Sequence, residues 1–215
     1  MTNPHDKFIP ALGQHWLTPL YDPVQRWLLR EMTFKTRLMR QARIQVGQRV
    51  LDLGCGTGTL SVLVKRSHPD AEVVGLDVDP QVLAIATGKA AAAGLAITFE
   101  RGSAFQLSYP DRSVDRVLSS LMLHHLSHEQ KERTLGEAHR ILKPGGELHV
   151  ADFGKPHGRF ARLGAFVLGH FEQASDNVKG LLPEMMRDAG FVEVEEIAQS
   201  RMIVGSISFY RARRA

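Results

Sequence analysis

The sequence predicts an α/β protein: a doubly wound, mostly parallel sheet of seven strands, with an antiparallel strand at its C-terminal end and a helical segment ahead of the sheet. Two observations carry this. Short apolar strands alternate with helical stretches, the signature of right-handed βαβ units whose parallel sheet is covered on both faces. The first strand also runs directly into a glycine-rich turn, which is where an open parallel sheet binds ligands. A chain of 215 residues, 43% hydrophobic and 23% charged, with 19 Gly and 10 Pro, fits a single globular domain and excludes collagen-like, disordered and low-complexity classes.

The elements follow in order. Residues 24–43 read as an amphipathic covering helix, with Trp27, Leu28, Met32, Phe34, Leu38 and Met39 at helical spacing among Arg26, Arg30, Lys35, Arg37, Arg40 and Arg43, the basic side taken as a solvated face. Strand 48–53 leads into the glycine turn 54–58 and a helix over 59–67. Strand 72–76 ends at Asp77, and a helix over 80–93 begins on Pro80, whose missing N–H suits a first turn. Gly94 is expected to close that helix in a left-handed conformation. Strands 97–100 and 114–121, a helix over 127–142, a turn at Lys143-Pro144-Gly145-Gly146 and strand 147–152 complete the repeat. Helices over 160–171 and 178–189 then precede strands 191–197 and 202–210, which should pair antiparallel at one end of the sheet.

One Cys cannot form an internal disulfide, and the opening residues have neither a cationic start nor an apolar core, so a reducing cytoplasm is expected. No apolar run reaches the roughly 18 residues of a membrane span. The net charge is +4 and the pI near 9.4, which on its face suggests an anionic partner. Residues 24–43, however, hold six basic residues against Glu31 alone, and Arg211, Arg213 and Arg214 close the chain. Together they exceed the whole net charge, so the remainder is mildly acidic and a nucleic-acid partner is not expected.

Asp52-Leu53-Gly54-Cys55-Gly56-Thr57-Gly58 places Gly at alternate positions, which lets a ligand approach the backbone, with the N–H groups opening the next helix facing it. Such a turn also occurs where strand and helix merely pack closely. Asp77 decides between the two, because a carboxylate about twenty residues past the loop can accept hydrogen bonds from both hydroxyls of a ribose. An adenosine-containing cofactor is implied. Dinucleotide folds space their glycines G-x-G-x-x-G around a pyrophosphate. Here Asp52 stands before G-x-G-x-G, repelling a pyrophosphate and suiting a cation or amino group.

The stretch Val50 to Gly58 closely resembles the first motif of class I S-adenosylmethionine-dependent methyltransferases. Gly75-Leu76-Asp77-Val78-Asp79 is similar to their second-strand acidic motif. Gly102-Ser103-Ala104 with Tyr109-Pro110-Asp111-Arg112-Ser113-Val114-Asp115 resembles G-D-A…P-F-P-D-x-S-F-D, Leu123-His124-His125-Leu126 matches L-H-H-L, and Arg140-Ile141-Leu142-Lys143-Pro144-Gly145-Gly146 matches the turn before the fifth strand. Across 50–152 this places the chain in the type 11 branch, related to the ubiquinone/menaquinone C-methyltransferases. The resemblance implies the Rossmann-like methyltransferase fold, S-adenosyl-L-methionine as cofactor and S-adenosyl-L-homocysteine as product. It implies that Asp52, Gly54, Cys55 and Gly56 lie at the methionine end, Asp77 on the ribose, Val78 against the adenine, Ser103 and Ala104 at the adenine edge, and Leu121 in the cofactor site. Two positions depart from relatives. Ser103 replaces an Asp, so it accepts a hydrogen bond without charge assistance. His124-His125 stands where the quinone enzymes carry Arg-Asn, which speaks against quinone ring methylation.

Methyl transfer from a sulfonium is an in-line displacement. The protein aligns the acceptor within about 3 to 3.5 Å, excludes water, and removes a proton where the acceptor needs it. His124, His125 and Asp152 are the catalytic candidates, set against helix-start, packing and turn roles. His15, Trp16, Tyr21 and Phe153 are the candidates for the acceptor pocket. His124 and His128 share helical i,i+4 spacing, but no third ligand accompanies them and no metal is assigned. The expected organisation is one methyltransferase domain: a helical lid and acceptor cap over 1–45, the cofactor core over 46–152, and acceptor-side helices with a β-hairpin over 153–215. The expected function is methyl transfer to a small, partly apolar molecule. An RNA methyltransferase recruited through the basic helix, and a cofactor-binding scaffold without turnover, remain as alternatives. A homodimer is left open.

Overall fold

The computed structural model describes residues 31–155, 175–201 and 206–215. In order these form α1 (Glu31–Gln41), β1 (Arg49–Leu53), α2 (Thr59–Ser67), β2 (Glu72–Asp77), α3 (Pro80–Ala92), β3 (Thr98–Arg101), β4 (Val114–Ser120), a 3-10 turn (Leu123–His125), α4 (His128–Ile141), β5 (Leu142–Phe153), α5 (Ser175–Lys179), α6 (Leu182–Asp188), β6 (Val192–Arg201) and β7 (Ser206–Arg213). The strands make one seven-stranded sheet in the order β3-β2-β1-β4-β5-β7-β6. β1 to β5 run parallel, and β7 lies antiparallel to both β5 and β6. Strand order reverses between β1 and β4, which opens a crevice at their carboxyl ends.

β1 shows how the strand period divides the core. Leu51 and Leu53 join a buried cluster with Leu135, Ala138 and Ile141 of α4 and Met185 and Met186 of α6. Val50 points the other way, into a cluster with Phe34, Leu38 and Met39 of α1 and Leu60 and Val64 of α2. Asp52 shares that second face and is fully buried. Local chemistry sets the helix ends. Asp79 caps α3 by accepting from the Gln81 N–H at 2.8 Å, with Pro80 in the first turn, and Gly94 beyond its end has φ +64°. Ser127 and Gln130 form a reciprocal capping box at the start of α4.

Several expectations are corrected. The single helix over 178–189 is two short ones, broken at Gly180, whose φ of +78° no helix continues through. The turn at 143–146 sits within β5 as an irregularity between the Val114–Leu142 and Arg116–Glu147 pairs. On α1, Lys35 belongs to the interior rather than to a solvated basic face, and Met32 is exposed. The helix over 160–171, the part of 24–43 before Glu31, and positions 202–205 lie outside the described residues.

Candidate active site

β2 holds the glycine turn in place. The Leu76 carbonyl accepts from the N–H groups of Gly54 (2.9 Å) and Cys55 (3.0 Å). The Asp77 carboxylate accepts from the Gly56 N–H at 2.8 Å and the Asp79 N–H at 3.1 Å. The Gly56 N–H is taken by Asp77, so one carboxylate both anchors the loop and stands at the end of β2. Gly54 has φ +71°, and a Cβ there would lie 2.2 Å from Cγ of Met122, so only glycine fits. A Cβ on Gly56 would meet nothing within 4 Å, so the loop faces open space on that side.

Two buried polar atoms near this loop have no protein partner. Asp52 accepts from the Ser61 hydroxyl at 2.6 Å through Oδ2, while its Oδ1 is unpaired. Ser103 Oγ, at the end of β3, is likewise unpaired. Burial pushes the Asp52 carboxyl up to about 6, against the opposing Ser61 hydrogen bond and Lys35 charge. Burial also raises Asp77, more than the N–H groups of Asp79, Gly56 and Val78 lower it. The Cys55 thiol is driven strongly upward by burial and by the Asp52 and Asp77 charges, so it is inert as a nucleophile. An orphaned carboxylate oxygen beside an open glycine loop, a second carboxylate closing β2 and an orphaned hydroxyl past β3 fit a cofactor with a cationic end, a ribose and a hydrogen-bonding base.

A second constellation crosses from the end of β4 to the end of β5. Leu121 follows β4 at φ +53°, a left-handed conformation costing a non-glycine residue about 1 kcal/mol or more, and its N–H donates to the Ala151 carbonyl at 2.9 Å. The chain then turns through Leu123–His125. His124 Nδ1 lies 2.8 Å from Oδ1 of the fully buried Asp152. Asp152 also accepts from the N–H groups of Leu123 (2.8 Å) and Phe153 (2.7 Å). Burial works to raise the Asp152 pKa, but the charge and hydrogen bond of His124, the Phe153 N–H and the charge of His125 hold it below the usual carboxylate value. The His124 ring packs edge-on to Phe153 at 4.7 Å and tilted against His125 at 4.0 Å. His125 is open to water yet surrounded by protein at the cleft mouth, and this crowding with the neighbouring His124 pushes its pKa down to about 4.

The expected site residues thus divide. Asp52, Gly54, Cys55, Gly56 and Asp77 gather around the loop, with Val78 half-buried just beyond Asp77 and Ser103 and Ala104 half-buried after β3. His124, Asp152 and Phe153 meet in one contact group, with His125 at its rim. His128 turns away toward Glu132 (3.4 Å) and Asp176 (3.3 Å). His15, Trp16 and Tyr21 lie outside the described residues. Met122 against Gly54 and the buried Glu31–Lys35 pair escaped sequence reasoning. Only the i,i+4 spacing of the latter was readable.

Known proteins supply the remaining evidence. A family described as "Methyltransferase domain" matches residues 50–146. The demethylmenaquinone methyltransferase of Deinococcus radiodurans is 32% identical over 211 residues, covering 91% of this chain and 84% of that protein. The demethylmenaquinone methyltransferase of Thermus thermophilus is 37% identical over 142 residues, covering 65% of this chain and 64% of that protein. Among solved structures, the S-adenosylmethionine-dependent methyltransferase SibL is 25% identical with a TM-score of 0.71, over 96% of this chain and 60% of that one. Fold and sequence define a class I methyltransferase using S-adenosyl-L-methionine. Within that class, the chain belongs to the family that includes the demethylmenaquinone methyltransferases. Among the described residues no helix is long and apolar enough to cross a membrane.

Proposed function

We propose that this methyltransferase acts on a small, partly apolar acceptor from which a proton must be removed, and that His124 removes it. The observation that carries this is the His124–Asp152 pair at the carboxyl ends of β4 and β5. A buried, ionised Asp152 fixes the proton on Nδ1 and presents Nε2 as the basic nitrogen. His125, with its depressed pKa, stays neutral at physiological pH and adds no competing charge. Phe153, packed edge-on to the His124 ring, sets an apolar side chain beside it.

When bound, the cofactor supplies an electrophilic methyl group on a sulfonium leaving group. Asp52 would offer its unpaired oxygen to the cationic end, Asp77 its remaining lone pairs to the ribose, and Ser103 its hydroxyl to the base edge, with the backbone of Ala104 beside it. The left-handed Leu121 turns the chain so that Met122 closes on Gly54 while His124 reaches Asp152. On this reading residues 1–45 form the lid, 46–152 hold the cofactor and 153–215 complete the acceptor side. The free, buried Cys55 agrees with work in a reducing cytoplasm.

The relatives are named for demethylmenaquinone, so a quinone precursor is one arm of the test. Incubation with methyl-labelled cofactor and a metabolite extract should place label in a small product, and His124→Ala should abolish that transfer while cofactor affinity stays. Label appearing only in RNA, or in nothing despite tight cofactor binding, would overturn the proposal. Asp77→Ala should cost at least about tenfold in cofactor affinity by calorimetry, because a charge-assisted pair is lost.

A further inference from the structure

The chain between β3 and β4, residues 102–113, is strapped along α4. Arg133 lies over the Phe105 ring at 5.1 Å. One turn on, Glu137 Oε2 accepts from the Leu107 N–H at 2.7 Å. A further turn on, Arg140 donates from Nη2 to the Leu107 carbonyl at 2.9 Å, and from Nη1 to the Tyr109 carbonyl at 2.8 Å and Asp111 Oδ1 at 2.7 Å. Positions 133, 137 and 140 form one helical stripe, while Leu135, Ala138 and Ile141 face the core. Backbone bonds complete the strap, from the Arg112 N–H to the Arg140 carbonyl at 3.1 Å and from the Ser113 N–H to the Ile141 carbonyl at 2.7 Å.

Glu137 and Arg140 also bind each other, Nε to Oε1 at 2.7 Å and Nη2 to Oε2 at 3.0 Å, so one ion pair grips both the N–H and the carbonyl of Leu107. The Arg140 hydrogen bond holds the Glu137 carboxyl below its usual pKa, which keeps it an ionised acceptor. Just before Leu107, the Ser103 carbonyl accepts from the Gln106 N–H at 3.3 Å, making 103–106 a tight turn, and the Ser103 hydroxyl is buried without a partner. The ion pair therefore fixes the turn on which Ser103 and Ala104 stand.

A hydroxyl both donates and accepts, so Ser103 can bond a 6-amino or a 6-oxo purine, whereas an ionised aspartate there would accept only. A backbone N–H only donates. Facing N1 of the base it suits adenine, whose N1 is an acceptor, and opposes hypoxanthine, whose N1 carries a proton. Selection of the base then depends on how firmly the Ala104 N–H is held.

We propose that the Glu137–Arg140 pair is the positioning device behind a preference of this chain for adenine: it holds the Ser103–Ala104 turn so that the Ala104 N–H meets N1 of the base. This rests on the placement of the base at Ser103 and Ala104, and it adds α4 to the groups that shape the cofactor site.

Calorimetric titration of the full chain with S-adenosylhomocysteine and S-inosylhomocysteine, which differ only in the 6-amino or 6-oxo purine, tests it. The unsubstituted protein should bind the adenosyl ligand at least about tenfold more tightly, because a donor facing a donor is costly. Glu137→Ala and Arg140→Met should each weaken S-adenosylhomocysteine at least about tenfold and leave S-inosylhomocysteine within about twofold, so that the preference collapses. Arg140→Lys, which keeps the charge but not the fork of donors, should lose it too. The backbone bonds of Arg112 and Ser113 remain in all three variants, so each should still melt cooperatively. Unchanged S-adenosylhomocysteine affinity overturns the proposal. Equal weakening of both ligands, or loss of the cooperative melt, also overturns it, since either marks the pair as holding the fold rather than the base. Equal binding of the two ligands by the unsubstituted protein overturns the placement of the base at Ser103 and Ala104 instead, and this proposal with it.

Discussion

Burial leaves Asp52 about half protonated near pH 6, well above the 3.8 of a free aspartate. Because the folded pKa is raised, the contribution of this group to stability is full below about pH 4 and is lost as pH rises through 6. A cationic ligand end reverses the balance by favouring the ionised form. Cofactor binding at pH 6 should therefore release roughly half a proton, read from calorimetry in buffers of different ionisation enthalpy, and almost none at pH 8. Asp52→Asn should remove the release at pH 6. At the second constellation, His124→Ala should lower kcat by about a hundredfold or more, the usual worth of a general base, without moving the S-adenosylhomocysteine Kd. Asp152→Asn should shift the pH profile of kcat, because it changes which nitrogen carries the proton. Residue identities at both places were legible in the sequence through motif spacing. Their pairing was not, since His124 lies in the turn after β4 and Asp152 on β5.

Helices and turns were legible wherever a local rule sets them. The start of α4 is one such case: Ser127 and Gln130 satisfy each other's backbone groups, and Ser127→Ala should cost about 1 kcal/mol. For a chain of this size that is a fall of about 2–4 °C in melting temperature. The β1–α2 turn is a less local case. Gly54→Ala strains a φ of +71° and drives a methyl into Met122, so cofactor binding should fall well before global stability, with calorimetry beside a thermal melt to separate the two. That glycine is needed there follows from the motif. That Met122, from the other side of the crevice, forbids any side chain follows only from the packing. Gly180 shows the opposite error, where a periodic apolar pattern read as one helix was broken by a single left-handed residue.

Across the molecule, α1 is tied to the sheet through a buried imidazole. His149 is fully buried, with Nε2 3.1 Å from Glu147 and Nδ1 3.2 Å from the amide nitrogen of Gln41, which also donates to Tyr210. The neutral ring is satisfied on both sides, and a proton on Nδ1 would meet a donor. Burial lowers its pKa, against the pull of Glu147. A histidine lowered in the folded state binds fewer protons than in the unfolded chain, so stability falls as pH drops below about 6.5. His149→Gln should flatten the loss of melting temperature between pH 7 and pH 5. If that slope is unchanged, the acid sensitivity lies elsewhere.

The sequence by itself determined the fold class, the alternation of strands and helices along the chain and the cofactor motif, because each rests on periodicity or on residues close together along the chain. It also showed that the basic charge gathers at the two ends of the chain. Only the tertiary structure decided what that charge does on α1. Arg37, Arg40 and Arg43 stay at the surface, while Lys35 turns inward to Glu31. The physical reason is that helical spacing says which residues share a face, whereas the cost of burying a charge is set by partners that only the folded sheet brings within reach.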